Sequence, residues 1–225
     1  MEFADWAPVY EDVLADFGFD RAADERARDA LAERVEPFDL PRLDCTGQRV
    51  AVAGGAASLA DETTLAADAD VVFAASTAVD VLADAGVDVD LMVTDLDKNP
   101  GTARRLTEAG TPVAAHAHGD NVSAVREQIP TFDLAHVLGT TQAEPVGPVV
   151  NFGGFTDGDR AAFLADHLGA AELCFPGWDF DDSSVGDQKA QKLAWAERLL
   201  HWLERRRGDR FGVLDGRRDS VDALP

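Results

Sequence analysis

The sequence predicts an α/β fold in which a mostly parallel, doubly wound sheet follows a short helical N-terminal region. Three observations carry that prediction. Apolar runs of three to five residues recur from residue 49 onward, stretches of helical periodicity separate them, and small polar or glycine-rich segments follow most of the runs directly. Apolar runs without alternation are buried on both faces, which is the state of strands in a parallel sheet covered by helices on either side.

The first 45 residues form the helical region. Trp6, Val9, Tyr10, Val13, Leu14 and Phe17 recur at three- and four-residue spacing, a second helical stretch runs from Ala22 to Val35, and Pro37 and Pro41 then break the chain. No chemistry is expected there. The α/β domain spans 46–207. Its strand candidates are Arg49–Ala53, Val71–Ala75, Leu91–Thr94, Pro112–His116, Ala135–Leu138, Val149–Phe152 and Leu173–Phe175. Helix candidates are Asp61–Ala67, Val79–Ala85, Thr102–Ala109, Val122–Gln128, Asp159–Leu168 and Asp187–Arg207. In the last of these, Leu193, Ala196, Leu200 and Leu203 form a stripe and Gly208 supplies a stop. The tail at 208–225 is too short for a second domain.

Composition narrows the function. The 225 residues include 42 acidic and 20 basic side chains, a formal net charge of −22, which excludes a broad nucleic-acid-binding face. No run approaches the ~20 apolar residues of a membrane span, and Met-Glu-Phe-Ala-Asp is not a basic leader, so a cytoplasmic protein is expected. Cys45 and Cys174 are too few for a disulfide framework or a zinc knuckle. The charge divides into 30 Asp, 12 Glu, 17 Arg and only 3 Lys. Self-repulsion of that size is relieved at ~1 M salt, where the Debye length is ~3 Å, so the chain reads as a salt-in halophile's protein. In so acidic a chain a single Asp says little, whereas Asp clusters after strands say more.

Ligands of an open α/β sheet bind beyond the carboxyl ends of the strands. The first strand leads into Gly54-Gly55-Ala56-Ala57-Ser58, where glycines allow a close approach to phosphate, and the second into Ser76-Thr77. The third leads into Asp95-Leu96-Asp97-Lys98. Two carboxylates so near one another call for a compensating cation, and Mg²⁺ suits oxygen ligands. The fourth leads into His116-Ala117-His118-Gly119-Asp120-Asn121, read as neutral imidazoles beside phosphate with a further carboxylate. The sixth leads into Gly153-Gly154-Phe155-Thr156-Asp157-Gly158-Asp159-Arg160, which offers hydroxyl, carboxylates and a guanidinium for phosphate. The seventh leads into Trp178 flanked by Asp179, Asp181 and Asp182, an aromatic that either stacks on a flat ring or packs in the loop. The three lysines, Lys98, Lys189 and Lys192, all lie in or after these segments. The first loop lacks the G-x-G-x-x-G spacing of nicotinamide enzymes.

Taken together, the Gly54–Leu59, Thr94–Asp97, His116–Asn121 and Asn151–Ala161 segments resemble the archaeal 6-hydroxymethyl-7,8-dihydropterin pyrophosphokinase family across about residues 1–205. The family's usual Gly-Pro-Ser-Leu loop here reads Ala56-Ala57-Ser58-Leu59. The pattern is more distantly similar to the catalytic domain of thiamine pyrophosphokinase, which carries an extra β domain. The resemblance implies a Rossmann-like fold and transfer of the β,γ-diphosphate of ATP to a reduced pterin, releasing AMP, in tetrahydromethanopterin or folate synthesis. It implies Mg²⁺ on Asp95, Asp97 and Asp120, with Asp97, Asp120 and one of His116 or His118 in catalysis. Gly54, Gly55, Ser58, Thr156, Asp157 or Asp159, Arg160 and Lys189 would contact ATP. The partners implied are the pterin and ATP, with neither nucleic acid nor membrane, and a homo-oligomer is compatible with it. A thiamine pyrophosphokinase-like enzyme and a nucleotide-sugar glycosyltransferase are the competing readings.

Overall fold

The computed structural model describes residues 1–119 and 121–225. Two helices open the chain, α1 (Phe3–Phe17) and α2 (Arg21–Ala32). Gly18 ends α1 in the left-handed conformation, and the Asp20 carboxylate accepts from Ala22 N–H to start α2. Five strands then alternate with four helices: β1 (Arg49–Ala53), α3 (Leu59–Ala67), β2 (Val71–Ala75), α4 (Ala78–Asp84), β3 (Leu91–Thr94), α5 (Pro100–Glu108), β4 (Val113–Ala117), α6 (Val122–Gln128) and β5 (Val137–Thr141). Helix α7 (Asp157–His167) leads to β6 (Glu172–Cys174), and α8 (Asp187–Arg207) follows.

All six strands pair in parallel in the order β5-β4-β3-β2-β1-β6. Alternate strand residues divide between two cores. Val50, Val52, Phe73, Leu91, Val93 and Leu138 pack with α1, α7 and α8. Ala51, Ala53, Ala74, Met92 and Ala115 pack with α2 through α6. The two N-terminal helices therefore cover opposite faces of the sheet.

The chain steps outward from β1 to β5 and then returns through α7 to place β6 on the other side of β1. That reversal opens a crevice at the carboxyl ends of the central strands.

The run at 149–152, expected to be a seventh strand, is not one. Val150 bridges Thr140 alone, bonding Gly139 O and Thr141 N–H. Gly153 and Gly154, with φ of +94° and +95°, then carry the chain away from the edge. The C-terminal tail is packed on its own chain: Phe211, Leu214 and Leu224 are buried, and Trp202 Nε1 donates to Pro225 O at 2.6 Å. No helix among the described residues is long and apolar enough to cross a membrane.

Candidate active site

The crevice encloses about 560 Å³ at the carboxyl end of the sheet. Its floor at the switch point is a close approach of two loops. Gly54 N–H donates to Pro176 O and Ala56 N–H to Gly177 O, both at 2.9 Å, so the loop after β1 is stitched to the loop after β6. Trp178 donates from Nε1 to Val52 O at 2.8 Å, and its ring lies against Gly54 on one side and Gly158, the second residue of α7, on another. Trp178 is therefore packed as a wedge between two glycine segments, and it also lines the crevice.

After β3, Thr94 Oγ1 accepts from Leu96 N–H at 3.0 Å and Asp95 Oδ1 from Asp97 N–H at 3.2 Å. Leu96 holds φ +69° and is buried, a conformation unusual for a branched side chain. This turn sets both carboxylates at the crevice. Burial pushes the Asp95 carboxyl up, but bonding to His118 and Asp97 more than reverses this and holds it well below the usual range. Asp97 is pushed up to about 6, by partial burial and by the Asp95 charge, against the pull of Lys98 and Lys192. The pair behaves as one site short of positive charge. Hard oxygen donors in that state fit Mg²⁺. Among the described residues no three His, Cys, Asp or Glu side chains converge as a ready metal cage. Asp120, the third carboxylate expected to join them, lies outside the described residues.

His116 and His118 both reach the crevice, their rings stacked with centroids 5.9 Å apart. Their environments differ. His118 Nε2 lies 3.6 Å from Asp95 Oδ2 and its side chain is a quarter exposed. His116 is 1% exposed, and burial, with Arg160 and His118 adding to it, pushes its pKa well below the usual value. Thr140 Oγ1 donates to Ala115 O at 3.2 Å, so it accepts from His116 Nδ1–H, also at 3.2 Å. That assigns a neutral ring with the lone pair on Nε2, an atom with no hydrogen-bond partner among the described residues. Asn121 links the two loops by donating from Nδ2 to Asp95 O and His116 O, both at 2.7 Å, and accepting from His118 N–H.

The opposite wall comes from α7. Thr156 and Asp159 form a capping box: the Asp159 carboxylate accepts from the N–H groups of Phe155 and Thr156 and from Thr156 Oγ1. Both its oxygens are occupied, it is fully buried, and it does not line the crevice; of the pair Asp157 and Asp159, only Asp157 does. Burial and the charges of Asp95 and Asp97 push the Asp157 carboxyl up to about 8, against Arg160. Arg160, 4% exposed, donates from Nη2 to Gly154 O and Phe155 O, while Nε and Nη1 have no partner among the described residues. Gly154 is required for this, because a Cβ there would stand 2.4 Å from Arg160 Cα. Lys98, Lys189 and Lys192, every lysine of the chain, line the crevice and form no ion pair among the described residues.

Gly54, Gly55, Thr156, Asp157, Arg160, Lys189, Asp95, Asp97, His116 and His118 thus meet in one crevice. Ser58 does not line it; its hydroxyl is buried at the start of α3 without a partner among the described residues. Two buried polar residues that line the crevice escaped the sequence reading, Asp24 of α2 and Gln142 just past β5. Asp24 shares a helix face with Ala27 and Leu31, all buried. A carboxylate on the apolar stripe was the available sign, and it belongs to the region expected to carry no chemistry.

Known proteins similar to this chain fall in one family. The family model described as 6-hydroxymethylpterin diphosphokinase MptE-like matches residues 31–185. The 6-hydroxymethyl-7,8-dihydropterin pyrophosphokinase of Methanothermobacter thermautotrophicus is 37% identical over 91% of this chain and 96% of its own length. That of Pyrococcus furiosus is 36% identical over 91% and 95%, and that of Methanocaldococcus jannaschii 28% identical over 91% and 96%. The match spans most of the chain and the segments that build the crevice after β1 through β6: the chain belongs to the MptE-like 6-hydroxymethylpterin diphosphokinase family.

Proposed function

We propose that this protein transfers the terminal diphosphate of ATP to the hydroxymethyl oxygen of 6-hydroxymethyl-7,8-dihydropterin, with Mg²⁺, giving the pterin diphosphate and AMP. The observation that carries the reading is the gathering, in one crevice, of the Asp95–Asp97 pair with Arg160 and all three lysines. Such an arrangement neutralises a polyphosphate with cationic side chains and a carboxylate-held metal, which is what phosphoryl-type transfer needs. The relatives' names supply the acceptor.

In this reading Asp95 and Asp97, with Asp120 from the sequence, would hold the metal. Bound there, Mg²⁺ would supply charge neutralisation for the triphosphate. Arg160 offers Nη1 and Nε, and Lys189 and Lys192 their ammonium groups, to phosphate oxygens. The hydroxymethyl oxygen attacks the β-phosphorus, the bond from that phosphorus to the oxygen it shares with the α-phosphate breaks, and AMP leaves with the electron pair. The hydroxyl proton departs to a base. The His118 ring, held through Nε2 beside Asp95 and partly open to the crevice, would receive it on Nδ1 and is better placed than the enclosed His116. His116 instead stays neutral and packs behind it. The product class fits an early step of tetrahydromethanopterin or folate synthesis in a high-salt cytoplasm.

The test is AMP release from ATP in molar KCl with Mg²⁺, comparing 6-hydroxymethyl-7,8-dihydropterin, thiamine and no acceptor. AMP formed only with the pterin supports the reading. Thiamine-dependent AMP, or none with any acceptor from folded protein, rejects it.

A further inference from the structure

Asp24 is 3% exposed, lies in α2 and reaches the crevice, yet no cationic side chain among the described residues pairs with it. Its charge is met by three donors from three other parts of the fold. Tyr10 Oη of α1 donates to Oδ2 at 2.7 Å, Gln142 Nε2 past β5 donates to the same oxygen at 2.7 Å, and Gly119 N–H past β4 donates to Oδ1 at 2.7 Å. Gln142 is itself fixed, its carbonyl accepting from Trp6 Nε1 at 2.8 Å and Asn151 Nδ2 at 2.9 Å. Burial, with Asp24 adding to it, pushes the Tyr10 hydroxyl above its ordinary value, so Tyr10 stays a donor.

A buried carboxylate with no counter-ion is costly, and an apolar residue on this helix stripe would pack without that cost. What the carboxylate does that an apolar residue cannot is grip the Gly119 amide. Gly119 follows His118, and a Cβ at Gly119 would stand 2.9 Å from Ala23 Cβ, so α2 and this turn are in direct contact. Asn121 holds the same turn from the other side through His118 N–H at 3.0 Å.

We propose that Asp24 is a positioning residue of the active site: its bond to Gly119 N–H fixes the His118–Gly119 turn, and through it the His118 ring, against Asp95. Helix α2 thereby helps to position the catalytic apparatus. This rests on the diphosphokinase reading for its effect on turnover, but not for its effect on the turn.

The test compares Asp24→Asn with Tyr10→Phe in molar KCl. Tyr10→Phe removes a bond from the same carboxylate but leaves the Gly119 contact. Both variants lower Tm. Asp24→Asn, which weakens the grip on the amide, lowers kcat about 100-fold while the KM for ATP changes by no more than about threefold, the signature of a misplaced catalytic group. Tyr10→Phe stays within about threefold of wild type in both. Independently of turnover, the NMR signals of the His118 ring and the Gly119 amide shift in Asp24→Asn and hold in Tyr10→Phe. Equal kcat losses in the two variants, or unmoved His118 and Gly119 signals in folded Asp24→Asn, overturn the inference. Wild-type protein inactive on the pterin would reject the reading of function, and the NMR comparison would still decide the role of Asp24.

Discussion

Gly54 and Gly177 approach so closely that a Cβ on either would lie 2.5 Å from the other's carbonyl oxygen. These two residues seal the switch point, where the loops after β1 and β6 meet beneath the crevice. Backbone cannot yield as a flexible side chain can. Gly54→Ala, at a position whose own φ permits alanine, should therefore destabilise by about 1–3 kcal/mol through overpacking. Thermal melts of the two proteins at the same salt check this. The apparent ATP affinity should fall with it, since Gly54 and Gly55 line the crevice. An unchanged Tm would mean that the loops separate freely.

The Asp95–Asp97 pair makes a signed prediction about pH. Asp97 has a folded-state pKa pushed up to about 6, above the ordinary carboxylate value, by partial burial and the Asp95 charge. A raised carboxylate pKa means that the folded state is penalised as pH rises from the unfolded value through the folded one. Metal-free Asp97→Asn should accordingly melt higher than wild type at pH 7, with the difference closing near pH 4. Mg²⁺ should raise the Tm of wild type and not of the variant, while turnover is lost in the variant. Melting curves with and without Mg²⁺ at both pH values read all of this out.

Ser76 stands in the crevice wall with φ +44° and a buried hydroxyl that has no partner among the described residues. Both features cost stability. Ser76→Gly removes strain and hydroxyl together and should gain about 1 kcal/mol, or ~2–4 °C in Tm for a chain of this size. Ser76→Ala removes only the hydroxyl and should gain less. A lower Tm for the glycine variant than for the alanine variant would show that the left-handed backbone is not strained here.

Strands β1 to β3 and helices α6 and α8 follow from apolar runs and stripes, because burial on both faces leaves an unambiguous pattern. The run at 149–152 misleads: its apolar content reports burial beside β5, not pairing, and the pairing is cut short by the turn at Gly153–Gly154. Residues that follow strands were legible as site candidates because topology puts strand ends together. Asp24 was not, since nothing local distinguishes it among 30 aspartates until α2 is laid against the β4 loop. Nor does sequence show that Asp159 spends both oxygens on its own helix start, leaving Asp157 to face the crevice.

The charge of the chain gives the last prediction. At −22, with 30 aspartates and 3 lysines, mutual repulsion opposes the compact state wherever solvent does not screen it. Ion pairs such as Arg210–Asp215, well exposed on both sides, return little. Raising KCl from ~0.1 to ~1 M shortens the Debye length from ~10 to ~3 Å, which removes long-range repulsion but spares contacts at hydrogen-bond distance. Tm should therefore climb steeply over that range and flatten above it. Mg²⁺ at millimolar level should give a further rise at any salt, because the Asp95–Asp97 pair is local and only partly exposed to screening. Melts over a KCl series, repeated with EDTA and with Mg²⁺, separate the two effects. A Tm indifferent to KCl would reject adaptation to high salt, and a Mg²⁺ increment that vanishes at 1 M KCl would reduce the carboxylate pair to ordinary surface charge.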